Sequence, residues 1–199
     1  MDNSTESIIS SLYGSEIIER FCKDERVFIA GYLGDTKDLD IASYLVNANK
    51  DQKCILVPHE ISGESLDKVI SSVENKCLLF SECTPETDFT NVQVLIIDFL
   101  GSVPEIYRYC RYAYIGTGIT RCGDNISDAA VYGIPCAFRS KIYVKDRHEG
   151  IVNLKIGTIV ENGKNLNAWL RRLRHNEEAW AGVHNSALDY AKKIGRTKY

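Results

Sequence analysis

The sequence from residue 112 to residue 138 reads YAYIGTGITRCGDNISDAAVYGIPCAF, and this stretch decides the fold. It begins with a short apolar run, continues through a loop rich in glycine and threonine, and reaches a second apolar run after a helical pattern. Asn125 can cap that helix at its amino end, with Asp128 three residues further on as in a capping box. Gly133 stands where a left-handed residue commonly ends a helix. The stretch therefore predicts a strand, a glycine loop, a helix and a second strand.

The junction between this glycine loop and its helix predicts a place for a ligand. The first turn of a helix presents unpaired backbone N–H groups and the positive end of the helix dipole, and glycines let a phosphate or a ribose approach the backbone. In open α/β sheets, such loops lie at the carboxyl ends of the strands, where ligands bind. A purely structural role fits the same residues, because turns from strand to helix commonly contain glycine and Asp128 can simply cap its own helix.

Strands and helices alternate along the rest of the chain. Short apolar runs predict strands at 27–30, 55–57, 77–80, 92–97, 112–115, 136–138 and 157–160. Apolar stripes at helical spacing predict helices at 5–22 (in two pieces), 39–46, 65–73, 104–111, 129–132, within 141–153, at 165–174 and at 177–194. Such alternation requires a parallel sheet covered on both faces, with right-handed crossovers. We therefore predict an α/β fold, with one Rossmann-like parallel sheet and helices on both faces.

Composition narrows the classes of function. The chain has 199 residues, enough for one substantial core, and its net charge of −3 gives no reason to expect nucleic acid as a partner. Seven cysteines are scattered without C-x-x-C spacing, which indicates a reducing, cytoplasmic compartment, and four histidines show no metal-ligand spacing. No signal peptide is apparent, and no run approaches the roughly 18 apolar residues of a membrane span, so we expect a soluble chain that binds no metal.

Polar residues cluster in loops that follow the predicted strands, at 31–36, 58–60, 98–102 and 116–128. The carboxyl ends of parallel strands share one edge of a sheet, so we expect these loops to meet there. None of them matches the dinucleotide fingerprint G-x-G-x-x-G, the phosphate loop of ATPases or the nucleophile elbow of hydrolases. We therefore predict no cofactor.

Six short segments carry a family resemblance. They are VFIAG at 27–31, LVPHEI at 56–61, LIID at 95–98 with Gly101, IYRY at 106–109, AYIG at 113–116 with Gly118, and AAVYGIP at 129–135. In this order and spacing they resemble the C-terminal half of the Kdo (3-deoxy-D-manno-octulosonic acid) transferases of lipopolysaccharide synthesis, in versions typical of Bacteroides-type bacteria. The resemblance covers nearly the whole chain.

The resemblance implies a GT-B glycosyltransferase, in which two Rossmann-like domains enclose the reaction cleft. The C-terminal domain of such an enzyme holds the nucleotide sugar, here CMP-Kdo. The N-terminal domain binds a lipid A precursor and supplies the membrane contact and the catalytic base. By this resemblance the chain is the donor-binding half, with connecting helices at residues 1–22 and the Rossmann-like domain at residues 23–199. It would contain no catalytic residue, be inactive alone, and belong to a protein at the cytoplasmic face of the inner membrane.

The resemblance also assigns residues to the donor site. Those that it places there are His59, Glu60, Gly101, Ser102, Val103, Gly116, Gly118, Asn125 and Asp128. Asp128 stands at the glutamate of the family's H-N-x-L-E motif, which is expected to hold the hydroxyls of the nucleotide ribose through charge-assisted hydrogen bonds. The expected reaction is a direct displacement with inversion that needs no metal.

The candidate site departs from the family pattern at several positions. Asp124, Ser127 and Asp128 replace the His, Leu and Glu of the motif, and F-R-S-K at 138–141 replaces F-G-P-K. These departures leave two alternatives open. One is a GT-B relative that uses another nucleotide sugar, distinguishable by its preference for uridine or guanosine nucleotides. The other is a non-catalytic nucleotide-binding or structural module that has lost the site.

Overall fold

Strands form the centre of the molecule. The structure, a computed structural model, describes residues 16–23, 26–99, 103–118, 125–143 and 145–194, with the backbone alone at 125, 146 and 147. In these residues the strands are β1 Phe28–Leu33, β2 Cys54–Pro58, β3 Cys77–Leu79, β4 Val94–Ile96, β5 Tyr112–Ile115, β6 Cys136–Phe138 and β7 Gly157–Ile159. They form one sheet in the order β3-β4-β2-β1-β5-β6-β7, and every neighbouring pair is parallel.

Helices cover both faces of this sheet. They are α1 at 16–22, α2 Thr36–Ala48, α3 Gly63–Ser71, α4 Val103–Ile106, α5 Asn125–Val131, α6 Lys145–Asn153, α7 Gly163–Arg174 and α8 Glu177–Lys193. Short 3₁₀ turns lie at Phe80–Glu82, Tyr107–Tyr109 and Ser140–Ile142. The predicted α/β fold, with a Rossmann-like parallel sheet between two layers of helices, is confirmed.

The two faces of the sheet have separate apolar cores. Along β1, Phe28 and Ala30 point to one face and Ile29 to the other, because successive side chains of a strand alternate. The first core contains the apolar sides of α2 and α7, and the second contains those of α1, α5 and α8. Strands that are buried on both faces carry continuous apolar runs, which is why the central strands are found close to their predicted positions.

The helix predicted at 104–111 is shorter in the structure. Helix α4 ends at Ile106 and a 3₁₀ turn follows, in which the Cys110 N–H donates to the Tyr107 carbonyl at 2.9 Å. The Arg111 N–H then donates to the Val27 carbonyl at 2.8 Å. The chain is therefore already aligned with Val27, the residue before β1, when β5 begins, and this pairing ends the helix early.

Helix α5 ends as the sequence predicts. Gly133 has a φ of 72°, its N–H donates to the Ala130 carbonyl at 2.9 Å, and the Ile134 N–H donates to the Ala129 carbonyl at 3.1 Å. This pair of hydrogen bonds is the Schellman motif, in which glycine supplies the left-handed residue. At the amino end, Asn125 is the first helical residue rather than the cap, so the capping position precedes it and lies outside the described residues.

The strand order places a switch point at β1 and β5. From β1 the chain moves outward through β2 to β3 and β4 on one side, and it then returns to β5 on the other side of β1. A switch of this kind opens a crevice at the carboxyl ends of the two strands, where open α/β sheets bind ligands. The glycine loops predicted after β1 and β5 therefore both lie at this crevice.

Candidate functional site

Three loops meet at the carboxyl end of the sheet, those after β1, β2 and β5. A Cβ atom added to Gly34 would overlap the backbone N and Cα of Gly118, and one added to Gly118 would lie 2.5 Å from the Cβ of His59. The Gly118 N–H also donates to the Tyr32 carbonyl at 2.8 Å. Glycine is therefore needed at 34 and 118 because the backbones approach too closely for a side chain. Of the predicted site residues, the structure brings His59 and Gly118 into direct contact.

Gly116 belongs to the same junction. Its N–H donates to the Gly31 carbonyl at 2.8 Å, and an added Cβ would overlap the Tyr32 carbonyl oxygen. Glu60 lies beside the junction rather than in it. It lines a cleft of about 240 Å³ between the loops after β1 and β2, together with Gly34 and Lys68, and it accepts a hydrogen bond from the Ser65 hydroxyl at 3.4 Å.

Val103 packs under the end of β1. Its side chain is buried, and its Cγ1 lies 3.1 Å from the position that a Cβ on Gly31 would take. Gly101 and Ser102, predicted to lie beside the nucleotide, are outside the described residues, and the side chain of Asn125 is also outside them. Their predicted roles remain predictions.

Tyr32 is a residue of the junction that the sequence did not reveal. It has a φ of 57°, and the pairing of β1 with β2 shifts register between Ala30 and Leu33, so Tyr32 sits in a bulge. A left-handed residue other than glycine is strained, and such residues cluster at functional sites. Sequence reasoning placed residue 32 in a loop but had no signal for this conformation.

The phenol of Tyr32 stands near the first turn of α5. Burial, and then the Asp128 carboxylate, raise the pKa of Tyr32 to about 12. Burial, and then Tyr32, raise the pKa of Tyr107 well above its ordinary value. Both phenols therefore keep their protons at neutral pH. The Tyr107 hydroxyl is buried and accepts or donates no hydrogen bond among the described residues.

A second polar group, centred on Asp38, lies on the other side of the junction. Asp38 is fully buried. Its Oδ1 accepts hydrogen bonds from the Tyr114 hydroxyl at 2.8 Å and from Nη1 of Arg139 at 3.1 Å. Its Oδ2 accepts from the backbone N–H of Gly34 at 3.2 Å and from the N–H and hydroxyl of Thr117, each at 2.6 Å. One carboxylate therefore joins α2 to the loops after β1 and β5.

Asp35 completes this polar group. It caps α2 by accepting from the Asp38 N–H at 2.9 Å, and it pairs with Nη1 of Arg139 at 2.7 Å and with Nζ of Lys141 at 3.2 Å. Partial burial by itself raises the pKa of Asp35. Hydrogen bonds from Arg139, from the backbone of Asp38 and from Lys141 outweigh it and hold that pKa well below its ordinary value. Two carboxylates thus face two cations.

Sequence reasoning missed this group for a physical reason. The sequence places Asp35 only in the polar loop at 31–36 and singles out neither Asp38 nor Lys141, and it marks Arg139 only as a departure from F-G-P-K. Asp38 and Arg139 are 101 residues apart in the chain. They meet because β6 lies next to β5 and β5 next to β1, and the sequence did not fix that order.

The described residues were also compared with the requirements of a metal site and of a membrane-spanning helix. No group of three or more His, Cys, Asp or Glu side chains in this part of the chain could hold a metal ion. None of the helices described is both long and apolar enough to cross a membrane.

Comparison with solved structures shows which known domains share this fold. No family model and no curated protein matches the chain. Among solved structures, the C-terminal CMP-Kdo binding domain of WaaA from Acinetobacter baumannii is similar, with a TM-score of 0.68 and 14% identity over 90% of this chain and 96% of that one. The C-terminal domain of the glycosyl transferase group 1 family protein LpcC from Francisella tularensis has a TM-score of 0.57 and 12% identity, over 94% of each chain.

A third similar structure is a longer protein. WaaG, a glycosyltransferase involved in lipopolysaccharide biosynthesis, has a TM-score of 0.56 and 13% identity, over 90% of this chain and 46% of WaaG. This chain therefore spans about half the length of WaaG. The fold is that of the C-terminal domain of GT-B glycosyltransferases, as the sequence resemblance implied. The Kdo transferase resemblance finds its structural counterpart in the WaaA domain.

Proposed function

We propose that this chain is the donor-binding domain of a glycosyltransferase that transfers Kdo from CMP-Kdo to a lipid A precursor. The observation that carries the proposal is the meeting of Gly34, Gly118 and His59 at the switch point of a GT-B-type sheet. The likeness of the fold to a CMP-Kdo binding domain supports the choice of donor. In this proposal the domain comprises residues 23–199, and residues 1–22 connect it to an acceptor domain.

The part of the junction near Tyr32 and Asp128 suits a ribose. A carboxylate such as Asp128 accepts charge-assisted hydrogen bonds from ribose hydroxyls. The Tyr32 phenol, whose pKa is about 12, stays protonated beside it and can donate to a ribose or phosphate oxygen. In our proposal His59, Glu60, Val103, the loops at 101–102 and 116–118, and Asn125 surround the rest of the donor.

The proposed reaction is a single displacement at the anomeric carbon of Kdo. A hydroxyl oxygen of the acceptor bonds to this carbon while the bond from the carbon to the CMP phosphate oxygen breaks, which inverts the configuration. CMP leaves with the electron pair of that bond, and the acceptor proton passes to a base. We place this base, the lipid A precursor and the contact with the inner membrane in an N-terminal domain outside this chain, so the chain alone binds the donor without transferring it.

A GT-B relative that uses another nucleotide sugar is the second candidate. Asp128 is one methylene shorter than the glutamate of the Kdo transferase motif, and a displacement of about 1 Å can reduce activity about 10²-fold. The Tyr32 phenol also lies within electrostatic reach of Asp128. These departures from the Kdo transferase motif are what support the second candidate.

Calorimetric titration of the chain with CMP, UMP and GMP tests the proposal. We expect selective binding of CMP, and we expect Asp128→Ala to weaken it at least about tenfold, because a hydrogen bond to a charged group is lost. Asn125→Ala should weaken it in the same direction. Asp189→Ala is the matched control, since Asp189 pairs with Lys192 on the exposed surface of α8, and it should leave CMP affinity unchanged.

The other possible results of this titration would support a different function. A preference for UMP or GMP would support the second candidate. Absence of binding of all three nucleotides to a chain shown to be folded would contradict both and leave a non-catalytic module.

A further inference from the structure

We propose that Asp38 is a positioning residue of the candidate site, whose buried carboxylate holds residues 116–118, after β5, in the conformation that receives the donor. The inference rests on the proposed function and goes beyond it, since Asp38 is not among the residues that the family resemblance places at the donor. It starts from the contacts of this one side chain.

The contacts of Asp38 come from three separate parts of the chain. Gly34 follows β1, Tyr114 and Thr117 belong to β5 and its loop, and Arg139 follows β6. A buried carboxylate is strongly unfavourable unless it is paired and hydrogen bonded. Asp38 meets both conditions, because each of its oxygens accepts from at least two donors at 3.2 Å or less. The donors therefore determine where the carboxylate lies, and the carboxylate determines where the two loops lie.

The loop after β5 needs such an anchor. Gly116 and Gly118 flank Thr117, and glycine has more conformational freedom to lose than any other residue. Both hydrogen bonds from Thr117 to Asp38 are 2.6 Å long. They fix the residue between the two glycines, and Gly118 is then held against His59. A loop that is ordered before the ligand arrives loses less entropy on binding, which raises affinity.

Arg139 connects the Asp38 carboxylate to the end of β6. One nitrogen, Nη1, contacts Asp35 at 2.7 Å and Asp38 at 3.1 Å, and the Arg139 side chain is 9% exposed. The Kdo transferase pattern has glycine at this position, so the arginine is a departure from that pattern. Its positive charge offsets the two carboxylates.

The test compares Asp38→Asn with Asp51→Asn. Asp51 also pairs with an arginine, Arg174, but its side chain is 71% exposed and it lies before β2, at the other end of the sheet. We expect both proteins to fold. An asparagine at 38 has one acceptor oxygen and places an NH₂ group against donors, so the amide protons of Thr117 and Gly118 should exchange at least about tenfold faster, and CMP should bind about tenfold more weakly.

Thr117→Val provides a second variant if Asp38→Asn fails to fold. It removes the hydroxyl that donates to Asp38 and keeps the side-chain shape and the backbone N–H. We expect the same two changes, each smaller than in Asp38→Asn. In both variants, exchange of the Ile134 amide, which closes α5, should accelerate less than exchange of Thr117 and Gly118, because a general loss of stability would accelerate all three alike.

The outcomes separate the two proposals. Faster exchange in the loop together with weaker CMP binding, both absent from Asp51→Asn, supports the inference. Wild-type CMP affinity in a variant whose loop has loosened overturns it, as does unchanged exchange at Thr117. Failure of the wild-type chain to bind any nucleotide contradicts the proposed function alone, because the exchange rates still decide whether Asp38 orders the loop.

Discussion

The two ends of the sheet hold the same kinds of residue in opposite settings. At the carboxyl end, Asp38 and Arg139 form a buried ion pair within a polar group. At the amino end, Asp51 pairs with Arg174 where the carboxylate is 71% exposed. Exposed pairs contribute about 0–1 kcal/mol and break with little effect, whereas breaking a buried pair is strongly destabilising. Among the described residues, the buried arrangement lies where these loops meet, at the end of the sheet where we propose that the donor binds.

The contrast extends to glycines and to left-handed residues. Gly34 at the carboxyl end has no room for a Cβ, whereas Gly182 in α8 has nothing within 4 Å of one. Tyr32 at the carboxyl end and Lys155 in the turn before β7 both have positive φ angles, of 57° and 59°. Each pair can be tested by making the same substitution at both of its residues.

We expect the largest effect from Gly34→Ala. The added methyl would overlap the backbone of Gly118 and lie 2.8 Å from the carbonyl carbon of Thr117. Neither loop can easily shift, because Asp38 holds both by hydrogen bonds. Overpacking of this kind destabilises by about 3 kcal/mol. Urea unfolding should show a fall of that size in the free energy of unfolding, with a loss of CMP affinity.

Gly182→Ala is the control for this substitution. Alanine is favoured over glycine inside a helix, so the free energy of unfolding should rise by up to about 1 kcal/mol. If Gly34→Ala proves as stable as Gly182→Ala, the close approach of the two loops is not a constraint on the fold.

The sequence predicted the strands and loops that form the site better than it predicted the contacts between their side chains. The central strands appeared as apolar runs because a strand buried on both faces must be apolar throughout. The loops at 31–36 and 116–128 were predicted to meet at one edge, and Gly34 and Gly118 do meet there. Local composition and the general geometry of parallel sheets were sufficient for both predictions.

What the sequence could not supply depends on long-range order. The Asp38–Arg139 contact requires β6 to lie beside β5 and β5 beside β1, and many strand orders fit the same apolar runs. The positive φ of Tyr32 follows from a bulge in β1, and a bulky residue is an improbable choice for that conformation. The early end of the helix after Pro104 follows from pairing of Arg111 with Val27.

A smaller effect is expected from pH at Asp35. Its pKa is depressed in the folded chain, so its ionised form stabilises the fold above the unfolded pKa of about 3.9. This contribution is lost as the pH falls from that value through the folded pKa. Asp35→Asn keeps a capping side chain and removes the charge, so it should be less stable than the wild type at pH 7, and the difference should shrink below about pH 4.

Asp51→Asn provides the comparison at the other end of the sheet. The hydrogen bond from Arg174 lowers the pKa of Asp51, so the sign of its pH dependence is the same. Its exposure screens the pair, and the difference from the wild type should be smaller than that of Asp35→Asn at every pH. Thermal unfolding of the three proteins between pH 3 and pH 8 measures both differences. A constant gap between Asp35→Asn and the wild type down to about pH 3 would mean that the charge of Asp35 is not its source.

The smallest effect separates the two left-handed residues. Lys155 is exposed and lies in a turn, so Lys155→Gly removes the strain of its positive φ and should raise the unfolding temperature by about 2–4 °C, the shift expected for about 1 kcal/mol. The same change at Tyr32 relieves a similar strain but also removes a half-buried ring that packs against the core. Tyr32→Gly should therefore gain nothing in stability and should weaken CMP binding, whereas Lys155→Gly should leave binding unchanged. A rise in stability with unchanged CMP affinity in Tyr32→Gly would show that its backbone is a defect tolerated by the fold and plays no part in the site.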